Sequence, residues 1–161
     1  MNKIQSVERY VCKALDNNHD EQMRIIGYVH LFGVAQCASL LAKKRNLNVE
    51  MAHMMGLLHD IYTYTKNDIR DHARQGSLLA EQALSALKVV SIAEKKRICH
   101  AIYCHSDKIT IHGVYDEVLK DADVLAHYLY NPTMDIKVKE RKRLANIMRE
   151  LSIDNGEVDY V

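Results

Sequence analysis

The sequence predicts an all-α fold, a compact single-domain bundle of about six to seven helices. One proline and six glycines among 161 residues leave few interruptions for long helices. Alternation typical of strands is nearly absent, because 108–111 is the single candidate and is too short to build a sheet. The length suits one domain with its own core, expected over 1–153. The polar, acidic residues 154–161 are expected to fray as a C-terminal tail.

Apolar residues at three- to four-residue spacing predict seven helices, and the residues at their ends support the assignment. Asp20 and Asp71 are suitable N-caps for the second and fourth helices. The basic cluster 43–45 is typical of a helix C-terminus, where the helix dipole favours cations, although a nucleic-acid patch has the same composition. A polar loop containing tyrosines is expected at 61–71, and Pro132 stops the sixth helix. The predicted helices are 6–15, 21–45, 49–60, 72–87, 92–105, 114–130 and 137–151.

Composition and charge argue against nucleic-acid and membrane partners. Hydrophobic residues make up 48% of the chain and charged residues 27%, which is ordinary for a soluble globular protein. The formal net charge of +1 gives no overall field toward duplex nucleic acid or acidic membranes. The four cysteines lack CxxC spacing and lie among apolar neighbours, as reduced cysteines do. No signal peptide or run of about 18 apolar residues is found, so we expect a cytoplasmic protein. A homodimer is compatible with these properties.

Six residues of metal-ligand type interrupt the apolar faces of five predicted helices. A single histidine on such a face is more often a core residue bonded to a carbonyl than a ligand. Five helices with this feature are harder to explain in that way, since each unsatisfied buried polar group costs roughly 1–3 kcal/mol. A shared divalent ion would satisfy all of them, and imidazole with carboxylate suits Mn, Fe, Ni, Co or Zn. His53 and His127 lie at the edges of such faces, where they could contact the ligands, and a simple surface or packing role is the expectation. The six residues are His30, His59, Asp60, His72, His105 and Asp123.

The order of these residues resembles that of the HD-domain superfamily of metal-dependent phosphohydrolases. The resemblance covers about residues 20–130 and departs at one position. Many members carry arginine three residues before the first histidine, where this chain has Gly27, and Arg24 lies one turn further back. The matching segments are His30-Leu-Phe-Gly-Val34, Gly56-Leu-Leu-His-Asp60, His72-Ala-Arg-Gln-Gly76-Ser, Ala101-Ile-Tyr-Cys-His105-Ser and Leu119-Lys-Asp-Ala-Asp123.

The resemblance implies a first metal ion held by the two histidines and two aspartates of the motif. His72 and His105 match additional histidines of dinuclear members, which implies one or two divalent ions per chain (Mn, Fe, Ni, Co, Zn or Mg). In mononuclear members a histidine near position 72 instead serves as the general acid, so Asp60 and His72 are the catalytic candidates. The ligands implied for the first ion are His30, His59, Asp60 and Asp123.

Cations and aromatic residues near the ends of the ligand-bearing helices are candidates for substrate contact. A cation there could meet a phosphate oxygen, and a solvated surface cation is the competing interpretation. A tyrosine in the predicted loop could stack on a base or cover the core. The candidates are Lys66, Arg70, Lys108, Tyr62 and Tyr64.

The function implied by the resemblance is a phosphohydrolase that acts on a nucleotide or another small phosphate ester or anhydride. A divalent ion lowers the pKa of a water ligand and polarises a phosphoryl oxygen, so metal-activated water is the expected nucleophile. The expected partner is a small-molecule phosphate substrate. Two alternatives stay open: a di-iron oxygenase, a type found among six-ligand members of the superfamily, and a non-catalytic, metal-containing module that senses a ligand.

Overall fold

The computed structural model describes residues 1–133 and 135–153, and these residues form eight α-helices and no strand. This confirms the predicted all-α bundle, and the segment 108–111 is a loop. The tail 154–161 lies outside the described residues, so the expected division of the chain at residue 153 stays a prediction. The helices are α1 (Lys3–Asp16), α2 (Glu21–Lys44), α3 (Val49–Leu58), α4 (Ile61–Lys66), α5 (His72–Leu87), α6 (Ile92–Cys104), α7 (Val114–Tyr130) and α8 (Val138–Glu150).

Helix α2 lies at the centre of the bundle and packs most extensively against α3 and α7. The Asp20 side chain accepts a hydrogen bond from the backbone of its first turn, which confirms the predicted N-cap. Helix α3 approaches α2 closely at Gly56, where an added Cβ would lie 2.5 Å from Ala35 Cα. A residue with a side chain does not fit at such a contact between two backbones. This close approach sets the distance between the helices that position His30 and His59.

Helix α4 is a correction to the polar loop predicted at 61–71. Ile61 and Tyr64 are buried one turn apart, and the Thr65 hydroxyl donates to the Ile61 carbonyl at 2.7 Å. Asp71 also departs from its predicted role, because its φ of 51° is left-handed and its side chain makes no cap hydrogen bond. A capping side chain reaches the first-turn amides from extended backbone, and Asp71 instead pairs with Arg74 at 3.0 Å.

The basic cluster at the end of α2 takes part in an ion-pair network within the fold. Arg45 Nη2 lies 2.6 Å from Asp121 on α7 and 2.7 Å from Glu150 on α8. Arg143 of α8 also contacts Asp121, at 2.6 Å. These contacts tie the C-terminal helix to the core helices, so the described contacts of Arg45 favour the structural interpretation of 43–45 over a nucleic-acid patch.

One helix among the described residues, α2, is long and apolar enough to cross a membrane by length and composition alone. The core helix of a soluble protein meets the same criterion, and residues on the inner face of α2 form the middle of the hydrophobic core. The cytoplasmic location therefore stays a prediction.

Candidate metal centre

Six helices of the bundle bring the six predicted ligand residues together. Overlapping groups of three have their nitrogen and oxygen ligand atoms within 4.8 Å of one another. Most of these residues lie at helix ends, where a side chain can point along the axis into a space that the helices share. His30 lies within α2, His59 is the C-cap of α3, Asp60 is the N-cap of α4, His72 begins α5, His105 is the C-cap of α6, and Asp123 lies within α7.

The first part of the centre is formed by His30, His59, Asp60 and Asp123. The Nε2 atoms of His30 and His59 are 3.0 Å apart, and Asp60 Oδ2 lies 3.6 Å from each of them. Asp123 Oδ1 lies 3.5 Å from His30 Nε2 and 3.8 Å from His59 Nε2. Donors that share an ion at about 2.0–2.1 Å stand roughly 3–3.5 Å apart, so these separations suit one divalent cation.

The second part of the centre surrounds the other oxygen of Asp60. Asp60 Oδ1 lies 3.2 Å from His105 Nε2 and 3.7 Å from His72 Nε2. The two oxygens of one carboxylate therefore face two different pairs of imidazoles. This arrangement can serve a second cation beside the first.

Backbone carbonyls orient three of the four imidazoles. His59 Nδ1 donates to the Gly56 carbonyl at 2.8 Å, and His105 Nδ1 donates to the Ile102 carbonyl at 2.6 Å. His72 Nδ1 makes the same contact with the carbonyl three residues before it, at 2.9 Å. The tautomer follows from these acceptors: with the proton on Nδ1, each Nε2 directs a lone pair into the centre. Histidine ligands are commonly held in this way.

Two buried carboxylate oxygens, Asp60 Oδ1 and Asp123 Oδ1, have no hydrogen-bond partner among the described residues. The nearby Nε2 atoms of His59 and His105 cannot supply one, because their protons are on Nδ1. The other oxygen of Asp123 is 2.5 Å from the buried ammonium of Lys108. Leaving such oxygens unsatisfied in a core is costly, so the residues present fit a bound cation well.

Electrostatics favour ionised carboxylates and a neutral His59. Burial raises the pKa of Asp123, but the Lys108 ammonium and the neighbouring histidines outweigh burial and hold this pKa well below its usual range. Burial likewise opposes ionisation of Asp60, and the neighbouring imidazoles lower its pKa overall. Burial lowers the pKa of His59 to about 3, so its ring is neutral at physiological pH. For His30, burial lowers the pKa, and the two carboxylates reverse this effect and raise it.

His127 lies next to the centre, closer than its position at the edge of an apolar helix face predicts. Its ring stacks on His30 with centroids 5.1 Å apart, and its Nε2 lies 3.5 Å from Asp123 Oδ1. Burial lowers the pKa of His127, against the opposing effect of Asp123. The signal that could have identified it is its position four residues after Asp123, one turn along the same helix face.

The predicted substrate residues are distributed unevenly around the centre. Lys108 is buried against Asp123, and the ring of Tyr64 lies 5.7 Å from that of His30. Burial is the main cause of a raised pKa for the Tyr64 hydroxyl. Arg70 is 88% exposed and pairs with Asp68. In the described part of the chain, no hydrogen bond, ion pair or ring contact joins Arg70 to the centre, and the same holds for two residues of α4, the half-buried Tyr62 and the exposed Lys66.

A cavity of about 600 Å³ adjoins the centre between α2 and α7. His30, Tyr64 and His127 form part of its lining, so the cavity lies directly beside the first group of ligands. Aromatic and aliphatic residues supply most of the remaining lining.

The protein is thus a helical bundle whose centre contains four imidazoles and two carboxylates. This centre is compatible with a divalent metal ion. The family model of the HD domain matches residues 27–128, and the chain belongs to the HD-domain family. This confirms the resemblance on which the sequence analysis relied. HD-domain proteins form a superfamily of metal-dependent phosphohydrolases.

A curated relative is similar over much of this chain. Ribonuclease Y 1 from Bdellovibrio bacteriovorus is 30% identical over 132 residues, which cover 74% of this chain and 24% of the relative. The chain therefore spans about a quarter of the length of that relative. No solved structure shows a significant match to the chain.

Proposed function

We propose that the chain is a metal-dependent phosphohydrolase that acts on a nucleotide or another small phosphate ester or anhydride. The observation that carries the proposal is the pair of carboxylate oxygens without a hydrogen-bond partner, set among four imidazoles of which three direct an Nε2 lone pair into the centre. When bound there, a divalent ion lowers the pKa of water and polarises a phosphoryl oxygen.

The proposed ligands divide into two groups that share Asp60. His30, His59, Asp60 Oδ2 and Asp123 would hold one ion, and Asp60 Oδ1 with His72 and His105 would hold a second. The placement of the two Asp60 oxygens supports this division. It also favours a ligand role for His72 over the general-acid role of mononuclear members.

Residues around the ligands would prepare the site for an anionic substrate. Lys108 places a buried positive charge beside Asp123, on the loop after α6, and is the proposed contact for a phosphate oxygen. Phosphoryl transfer depends mainly on positioning and charge neutralisation, so one fixed cation at this point is of direct use. The burial of His59, His105 and Asp123 keeps bulk water from competing for the ligand atoms.

Elemental analysis of the purified protein, followed by a panel of phosphate monoesters, diesters and anhydrides with each metal added back, tests the proposal. We expect a bound divalent transition metal, and hydrolysis that is abolished by a chelator. Asp60→Ala should remove metal and activity with the helical fold retained, whereas Asp135→Ala, at an exposed aspartate, should change neither. Unchanged metal content in Asp60→Ala would contradict the assignment.

Two further candidates follow from specific observations. The relative's name concerns cleavage of RNA, which makes an RNA phosphodiester a second candidate substrate. Single-stranded oligoribonucleotides in the panel test this candidate.

The set of six ligands also suits a di-iron oxygenase. Iron content together with an oxygen-dependent activity would identify that class. A full metal site with no turnover on the whole panel would favour a ligand-sensing module.

A further inference from the structure

The cavity between α2 and α7 has a lining that contrasts with the charged centre it adjoins. Tyr28, Phe32, Tyr64 and Tyr130 contribute four aromatic rings, and Tyr28 stacks on Phe32 with centroids 6.0 Å apart. Among the residues that the structure describes, no lysine, arginine, aspartate or glutamate lines it. A phosphate chain would find no lysine or arginine among the described lining residues, whereas a flat uncharged group would find faces to stack on.

Gly33 adds an independent observation about the same space. It lies in the middle of α2 and lines the cavity, and an added Cβ there would meet nothing within 4 Å. Glycine inside a helix costs roughly 0.5–1 kcal/mol relative to alanine. The helical glycines Gly27, Gly56 and Gly76 each have a packing reason, because a Cβ would come within 3.0 Å of a neighbour. Packing does not explain Gly33, and what its missing side chain provides is depth in the cavity.

We propose that this cavity binds a flat, uncharged ring of the substrate, of the nucleobase class, while the phosphate of the same molecule lies at the His/Asp centre. The proposal rests on the proposed phosphohydrolase function. Stacking on aromatic side chains tolerates any base, because every base has a π-face. The exposed amide of Gln36 in the lining offers a donor and an acceptor of the kind that match the edge of a base.

The position of the cavity favours a substrate ring over a second copy of the chain. His30 and His127 belong both to the cavity and to the surroundings of Asp123, so a ring and a phosphate of one small molecule can occupy the two spaces together. A protein partner would need the exposed apolar residues around the opening, such as Val29 and Leu129, and would cover the route to the centre.

Binding to the metal-loaded protein tests the proposal with a matched pair of probes. Ribose 5-phosphate carries the phosphoester of a nucleoside 5′-monophosphate without the base. Calorimetry with the four ribonucleoside 5′-monophosphates and with ribose 5-phosphate should show at least one nucleotide bound about tenfold or more tightly than the sugar phosphate. Equal affinity for the sugar phosphate and all four nucleotides would overturn the proposal and leave the metal-dependent hydrolysis untouched.

Variants of the cavity make the test specific. Gly33→Leu fills the cavity and Tyr130→Ala removes a ring, so each should lower the preference for the nucleotide about tenfold with metal content unchanged. Tyr103→Ala is the control, because Tyr103 is an exposed tyrosine outside the cavity, 57% exposed against 70% for Tyr130. Gly33→Ala should melt at a higher temperature than the wild type, which shows that position 33 tolerates a side chain. Retained preference in Gly33→Leu, or a dimer that both cavity variants dissociate, would overturn the assignment.

Discussion

Asp60 has a geometric role that none of the other ligand residues shares. Its two oxygens lie within 3.7 Å of four different imidazole nitrogens, two on each side. A carboxylate in that position can hold two cations at a short separation and offset their mutual repulsion. Whether the chain binds one ion or two therefore depends on His72 and His105, which contact only one of these two oxygens.

The His72→Ala, His105→Ala double variant should bind one ion where the wild type binds two at saturating metal. Asp60→Ala should bind neither tightly, since it removes an oxygen from both groups. Inductively coupled plasma measurements of metal per chain provide the test. His19→Ala is the matched control, because His19 is exposed and belongs to none of the described groups that could hold a metal ion. A wild type that saturates at one ion would return His72 to the role of general acid.

Lys108 and Arg70 were both predicted as phosphate contacts, and the structure separates them. Lys108→Met should lower kcat/KM by about tenfold or more, because it removes a fixed charge beside Asp123. Arg70→Ala should change kcat/KM less than about twofold, because that guanidinium is in solvent and paired with Asp68. Metal content is measured alongside the rates. A larger loss in Arg70→Ala than in Lys108→Met would reverse the assignment.

At the scale of helices, the contact of α3 with α2 controls the separation of two ligands. Gly56 is the point of closest approach, and His59 follows it by three residues, within one turn. Any displacement of α3 at Gly56 moves the His59 ring relative to His30. The stability of the bundle and the geometry of the centre thus depend on the same contact.

Gly56→Ala should destabilise the protein by about 1–3 kcal/mol or more and weaken metal binding. The physical reason is that the new Cβ meets the backbone of Ala35, which cannot rotate away as a side chain can. Thermal melts of metal-free and metal-loaded protein measure both effects. Gly33→Ala is the control on the neighbouring helix, since the same change in open space is expected to stabilise.

The sequence predicted the long helices well, and it failed where folding brings residues together that are distant in the sequence. Seven helices were visible from periodicity, whereas α4 has only Ile61 and Tyr64 as buried residues and leaves too short a pattern to recognise. His127 was expected to have a packing or surface role, because its contacts with His30 and Asp123 exist only after α7 packs on α2. Lys108 was indistinguishable from a surface cation until its burial was known.

For the molecule as a whole, the centre is the point where six of the eight described helices meet. Two buried carboxylates each present there an oxygen that has no hydrogen-bond partner among the described residues, which a cation can satisfy. A cation bound there contributes to folding as well as to chemistry, since a ligand that binds only the folded state stabilises it in proportion to its affinity.

Removal of metal by a chelator should lower the melting temperature by about 8–16 °C. Saturation at about 1,000 times the dissociation constant contributes roughly 4 kcal/mol, and in a chain of this size each kcal/mol shifts the melting temperature by about 2–4 °C. Differential scanning calorimetry with and without chelator measures the shift. Asp60→Ala should be insensitive to the chelator, and a wild type equally insensitive would show that the bundle does not depend on metal.

In His59 and His105, the ring nitrogen that faces away from the centre is Nδ1. It donates a hydrogen bond to a carbonyl in the last turn of the preceding helix. Substitution of His59 leaves the Gly56 carbonyl without the imidazole that donates to it, whereas the Ile102 carbonyl keeps the backbone amide of residue 105 as a donor. In a lineage that no longer needs the ion, His30 is free to change before His59 or Asp123, because Asp123 also pairs with the buried Lys108. A duplicated gene that has drifted into a metal-free role would therefore be expected to keep His59 and Asp123 as remnants of its ancestry.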